Sequence, residues 1–249
     1  MGSRTHNHPR CSRCYMHEEL CICAEVRPLQ TRARLALVLH HNEIEKTTNT
    51  GRFALQTLTN SEAYIRGLQE GPADLSPLQS SERRLLVLFP SEEARELSPE
   101  LIAEDPRPIT LAVPDGTWAQ ARRAVRREPI LAEAQHVITP PGPPSRYKLR
   151  KEHEDHGLAT IEAIARAFGI IEGPEAQEAL ERIFDIQVER TMLTRNPPPT
   201  RERDPNEPSW KRRGGRGKNK RPEAKTSSEL SSEELLEQLR PLGSSDEER

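Results

Sequence analysis

No apolar run in the 249 residues is long enough to cross a bilayer, since a spanning helix needs roughly 20 consecutive apolar residues. The first ten residues, Met1 to Arg10, are polar and lack the apolar stretch of a secretory signal. No cysteine follows Cys23. Hydrophobic residues are scarce as well, 33% against 31% charged, and a mean hydropathy of −0.80 is too polar for a chain packed throughout, so a solvated segment is expected. These absences argue against a membrane partner and predict a cytoplasmic protein: one α/β domain of moderate size plus extras.

What is present is unevenly placed. The formal charge of −2 hides basic crowding at positions 122 to 127 and 211 to 221 and an acidic last segment, so a nucleic-acid partner remains open. All four cysteines fall in Cys11-x-x-Cys14 and Cys21-x-Cys23. Four thiolates on two tight turns close a tetrahedron around Zn²⁺ without a large core, which predicts a structural zinc module over residues 1–30. Disulfides or idle thiols are the alternatives, and His6, His8 or His17 could replace one thiolate.

Ile109-Thr110-Leu111-Ala112-Val113 is short, apolar and partly β-branched, with prolines at 108 and 114 on either side, and reads as a buried strand. Asp115 follows at its carboxyl end. Thr117 and Gln120 then have the spacing of a capping box, with Trp118 in the first turn of the helix that follows. A carboxylate at this point of an α/β sheet lies in the crevice where ligands bind. The plainer alternative is a tight Asp-Gly turn with a core tryptophan. Arg122 with Arg126, and Arg123 with Arg127, repeat at i, i+4 on the outer side; a phosphate backbone would offset their repulsion, or the face is simply solvated.

Leu35 to Leu39 is a second buried strand, and Asn49-Thr50-Gly51-Arg52 opens the helix after it, with Asn49 or Thr50 as cap. That junction suits a carboxylate or phosphate, unless it is an ordinary capped helix with a solvated Arg52. Ala63 to Ile65, Arg84 to Phe89 and His136 to Ile138 complete the strands, and Ser91 after Pro90 is placed to cap a helix beginning at Glu92. The alternation predicts a mainly parallel sheet with helices on both faces over residues 31–195. A proline-rich path leads through Ser145 to Arg150, and two further helices follow, the second with Leu180, Ile183, Phe184, Val188 and Met192 on one face. Residues 196–249 read as a disordered tail, basic and then acidic, in which Leu230, Leu235, Leu236 and Leu239 could form a short amphipathic helix.

Five motifs in this order, the cysteine cluster, Asn49-Thr50-Gly51-Arg52, Asp115-Gly116-Thr117-Trp118, Ser145-x-Tyr147-x-Leu149-Arg150 and Leu158-x-Thr160-x-Glu162-Ala163, resemble those of the DTW-domain family across about residues 11 to 195. The resemblance implies a tRNA-uridine aminocarboxypropyltransferase, which moves the 3-amino-3-carboxypropyl group of S-adenosylmethionine to N3 of a uridine in tRNA and releases methylthioadenosine. It also implies a SPOUT-like fold with a trefoil knot around the cofactor. On this reading Asp115, Thr117 and Trp118 are catalytic. Asn49, Thr50, Gly51, Arg52, Phe89, Pro90, Tyr147, Leu149, Arg150 and Thr160 hold the cofactor, and Arg122, Arg123, Arg126 and Arg127 hold RNA. The zinc would be structural, and no obligate protein partner is evident. Where the family has Ser-Thr-x-Glu, this chain has Ala159-Thr160-Ile161-Glu162, losing a cap hydroxyl worth on the order of 1 kcal/mol. An RNA methyltransferase using the same cofactor, or a zinc-stabilised RNA-binding adaptor without chemistry, are the alternatives.

Overall fold

The computed structural model describes residues 9–68, 71–147, 157–195 and 231–241. Six strands, β1 (Arg34–His40), β2 (Ser61–Arg66), β3 (Arg84–Leu88), β4 (Arg95–Glu96), β5 (Ile109–Asp115) and β6 (Gln135–Ile138), form one sheet in the order β2-β1-β5-β3-β6-β4. Every pairing is parallel. A parallel sheet is covered on both faces, and the two-residue period of a strand divides the apolar residues of β1 accordingly. Leu35, Leu37 and Leu39 join the core on one side with Phe53, Phe168 and Phe184, whereas Ala36 and Val38 join Val87, Ala112, Ala121 and Val125 on the other. Helices α1 (Gly51–Thr57), α5 (Thr160–Ile171) and α6 (Pro174–Arg195) supply the first layer. Helices α3 (Trp118–Arg127) and α4 (Pro129–Ala132) supply the second, and the short α2 (Pro99–Ala103) buries Leu101 in the first.

Three expectations are corrected. Strand β5 continues through Pro114 to Asp115, because past the Val87↔Ala112 rung β5 has a partner only on the β1 side, where Leu39 pairs with Asp115, and the missing N–H of a proline is tolerated at such a one-sided end. Ser91 caps no helix; its hydroxyl meets His136 Nδ1 at 2.8 Å, and the helix starts later, at Ser98-Pro99, where the serine hydroxyl accepts from Leu101 N and proline occupies the first turn. In α6 the buried stripe runs through Ala176, Leu180, Ile183, Phe184, Gln187 and Thr191, while Met192 is exposed. The helical period from Leu180 and Phe184 selects Gln187 and Thr191, polar residues that an apolar pattern passes over.

The cysteine segment is built into this domain, since Met16, Ile22 and Val26 lie in the same core as β1 and α1. The amphipathic helix near the carboxyl end forms as α7 (Ser232–Leu239), with Leu235 and Leu239 buried in that core too. Its companions are the chain's own: Gln238 Oε1 accepts from the Tyr15 hydroxyl at 2.5 Å, and the Arg240 carbonyl accepts from Arg13 at 2.9 Å. The rest of the tail, including Leu230 and the basic run from Lys211 to Arg221, lies outside the described residues. Among the described residues no helix is long and apolar enough to cross a membrane.

Candidate active site

A cavity of about 590 Å³ opens at the carboxyl ends of β5, β3 and β6, the position and size expected of a small-molecule site on a parallel sheet. Asp115, the last residue of β5, is buried at its floor. Two side chains from distant parts of the chain hold the carboxylate. Asn49 Nδ2 donates to Oδ2 at 2.7 Å, and Thr160 Oγ1 donates to Oδ1 at 2.6 Å. Asn49 is itself fixed, because its Oδ1 accepts from Arg52 N at 3.0 Å, so its amide nitrogen is the end that faces Asp115. Both partners donate, a match to an ionised carboxylate.

The backbone beside Asp115 has little room. A methyl group on Gly51 would lie 2.8 Å from Asp115 Oδ2 and 3.1 Å from Leu37 Cδ2, so only glycine lets the start of α1 come this close to the carboxylate. Opposite, the capping box of α3 is complete: Thr117 N donates to Gln120 Oε1 at 2.7 Å and Gln120 N to Thr117 Oγ1 at 3.3 Å. Trp118 and Ala119 in that first turn border the cavity, and first-turn N–H groups lack helical acceptors, which favours a negative group nearby. The α5 start at Ala159-Thr160 borders it from the other side.

Aromatic groups shape the walls. Trp118 is 43% exposed, available for stacking rather than committed to the core, and its ring centroid lies 6.5 Å from that of Phe89. His136 meets Phe89 edge-on at 6.3 Å while its ring nitrogens hold Ser91 and the Leu131 carbonyl. Tyr147 is buried, with its hydroxyl donating to the Thr48 carbonyl at 2.8 Å. Glu162 secures the segment leading to it: the carboxylate accepts from the Ser145 hydroxyl and from Arg146 N and Ala159 N at 2.8 and 2.9 Å. Ala159 cannot complete the capping box, yet Thr50 Oγ1 accepts from Ile161 N at 3.2 Å, so a hydroxyl from the α1 junction meets one of the orphan donors of α5.

Asn49, Thr50, Phe89, Pro90, Asp115, Thr117, Trp118, Tyr147 and Thr160 thus converge on one cavity. Gly51 lies behind Asp115 and does not line it. Arg52 is the clear divergence: it is fully buried and turned from the cavity, its guanidinium 4.4 Å from the Tyr15 ring centroid and Nη1 donating to the Arg13 carbonyl at 3.3 Å. The helical period explains it, since α1 presents Arg52 and Gln56 together, both donating to that carbonyl. Leu149 and Arg150 lie outside the described residues. The four α3 arginines are exposed on one outer face, over the buried Ala121, Ala124 and Val125. Sequence reasoning missed Leu88, Ile138, Thr139 and Leu158 in the lining and Gln187, which donates to the Thr47 carbonyl at 3.1 Å beside the Asn49 loop. The strand-end rule could have found Ile138 and Thr139.

The cysteines form a second centre. The sulfur atoms of Cys11, Cys14, Cys21 and Cys23 all lie within 4.8 Å of one another, with Cys11–Cys23 and Cys14–Cys21 at 3.7 Å. Ligands about 2.3 Å from a tetrahedral zinc stand about 3.8 Å apart, so the four sulfurs can hold a metal ion with little movement. Packed this closely, the thiols set each other's acidity: hydrogen bonding with Cys23 holds Cys14 down to about 5, and the same bond, with burial, pushes Cys23 up. His17 is not part of the cluster; its backbone bridges Arg10. His6 and His8 lie outside the described residues.

The DTW domain family matches residues 8–192, which spans both centres. Among curated relatives, "tRNA-uridine aminocarboxypropyltransferase 2" of Macaca fascicularis is 25% identical over 169 residues, covering 66% of this chain and 57% of the relative. The protein of the same name from Mus musculus is 26% identical over 170 residues with the same coverage, and that from Drosophila melanogaster 25% over 181 residues, covering 70% and 71%. The match thus spans somewhat over half the length of the two mammalian relatives. No solved structure matches. With the family match covering most of the sequence and Asp115-Gly116-Thr117-Trp118 lining one cavity, the chain belongs to the DTW-domain family.

Proposed function

We propose that the protein transfers the 3-amino-3-carboxypropyl group of S-adenosylmethionine to N3 of a uridine in tRNA. The observation that carries this reading is the Asp115 carboxylate, held between Asn49 and Thr160 on the floor of a cavity whose rim is the exposed Trp118. The relatives' name points the same way. The cavity fits such a donor on its own terms: apolar walls at Leu88, Phe89 and Val137 suit an adenosine, and the Thr117 and Thr160 helix starts suit a carboxylate. When bound, that donor supplies a sulfonium with an aminocarboxypropyl carbon open to in-line attack.

Asp115 takes the N3 proton or orients the base edge, and its two donors fix the direction in which it accepts. Trp118 stacks on the flipped-out base or on adenine, which asks for a ring free of the core. With Arg52 turned away, the role of holding the donor's carboxylate passes to the α3 and α5 starts and to Arg150. Selection of one sulfonium carbon over the methyl is then a matter of position. The α3 arginines form the tRNA face. Structural zinc in the four-cysteine site, the SPOUT-type knot and a cytoplasmic setting, where thiolates persist, belong to the same proposal.

Asp115→Asn tests it. The variant should fold and bind S-adenosylmethionine yet produce no aminocarboxypropyl-uridine by mass spectrometry of tRNA nucleosides; retained product removes Asp115 as the proton acceptor. Release of S-adenosylhomocysteine in place of methylthioadenosine by the wild type would make the protein a methyltransferase. Binding of tRNA without any thermal shift by S-adenosylmethionine would make it an adaptor.

A further inference from the structure

Arg52 is a guanidinium without solvent. It is 0% exposed, and its Nε and Nη2 have no hydrogen-bond partner among the described residues. Nη1 makes one neutral bond, to the Arg13 carbonyl, and the ring of Tyr15 covers one face. No carboxylate forms an ion pair with it among the described residues, although a buried cation left uncompensated is among the costliest groups a fold can contain. Burial accordingly lowers its pKa to about 10, while Tyr15, Cys14, Asp115 and Cys11 act in the other direction.

The contacts locate the missing anion. Arg13 and Tyr15 flank Cys14 within the tight Cys11 turn, closed by Tyr15 N donating to the Cys11 carbonyl at 2.9 Å and Cys11 N to that of Met16 at 2.9 Å. Tyr15 takes a left-handed backbone, φ 57, uncommon for a residue with a side chain; the conformation lets its ring lie on Arg52 while its hydroxyl reaches Gln238. Arg52 therefore sits against the turn that carries two of the four thiols. A dication held by four thiolates has a net charge of about −2, and it too is partly buried, in the core next to α1.

We infer that Arg52 is the counter-cation of the four-cysteine metal site, an electrostatic positioning residue that makes the buried cluster and the buried guanidinium tolerable to each other. This rests on the reading of the cysteines as a divalent-metal site. The same residue connects that site to the carboxylate, through its backbone: Arg52 N–H donates to Asn49 Oδ1, and Asn49 holds Asp115.

The test uses the full-length protein loaded with Zn²⁺ and measures zinc release to a competing chelator with a metallochromic indicator. Arg52→Met, which keeps the apolar bulk and removes the charge, should weaken retention on the order of 10-fold to 100-fold, the usual effect of losing a group behind the ligands. Arg52→Lys, which keeps the charge and alters the hydrogen bonds, should stay within about threefold of wild type. Cys11→His keeps a ligand but removes one negative charge, so it should cost less retention in the Arg52→Met background than alone. Equal retention by Arg52→Met and wild type overturns the inference, as does Arg52→Lys failing as badly as Arg52→Met. Should Arg52→Met not fold, the lysine variant still decides. A wild type that holds no metal overturns the site and the inference with it.

Discussion

Gly51→Ala separates the architecture of the site from the stability of the fold. Gly51 is the first residue of α1, and alanine there raises helix propensity by roughly 0.8–1 kcal/mol. The added methyl, however, would lie 2.8 Å from Asp115 Oδ2, against about 3.5 Å for ordinary contact, with Leu37 at 3.1 and 3.2 Å behind. Something must move by about 0.7 Å. Leu37 is fully buried in β1 and gives little, so the displacement falls on Asp115 and the start of α1, stretching the Asn49 and Thr160 bonds. Overpacking of this kind costs ~1–3 kcal/mol, leaving a net destabilisation of about 0–2 kcal/mol after the propensity gain. Catalysis should suffer far more, on the order of 10-fold to 100-fold in the single-turnover rate, because small misplacements of a reacting group are amplified in the transition state. Thermal melts and single-turnover formation of modified uridine, measured on one preparation, test this. A variant with an unchanged melt and an unchanged rate would refute the close approach of α1 to the carboxylate, and with it the view that Asp115 must be held this tightly.

Three further outcomes follow from the same geometry. Thr160→Val removes the 2.6 Å bond to Asp115 Oδ1 and should lower turnover by roughly 10-fold to 100-fold, since a hydrogen bond to a charged group contributes about 1.5–3 kcal/mol, while Thr160→Ser should retain most of the rate. Replacing Arg122, Arg123, Arg126 and Arg127 together by Gln should leave the melt within about 0.5 kcal/mol, because all four are exposed, yet flatten the salt dependence of tRNA binding by up to roughly 3 log units per log unit of salt; an unchanged slope would put the RNA on another face. Stripping metal with a chelator should lower the melting temperature of the whole domain, since Met16 and Ile22 share its core, and calorimetry showing an unchanged melt with the metal gone would contradict that coupling.

Short-range chemistry was legible in the sequence. The alternation in Leu35 to Leu39, the Thr117-to-Gln120 box and the thiol spacing each involve residues a few positions apart, whose periods and caps act locally whatever surrounds them. Those features suffice for a parallel sheet, a carboxylate at a strand end and a metal-competent cluster. What the tertiary structure decided is who meets whom across long separations: Asn49 with Asp115 over 66 residues, Thr160 with Asp115 over 45, Thr50 with Ile161 over 111. It also reversed one assignment, because Arg52 adjoins a pocket residue in the chain but points to the cysteine turn in space. A helix turns each successive side chain by about 100°, so neighbours in sequence face different partners, and only the packing of α1 between the sheet and the amino-terminal segment determines which partner each one finds.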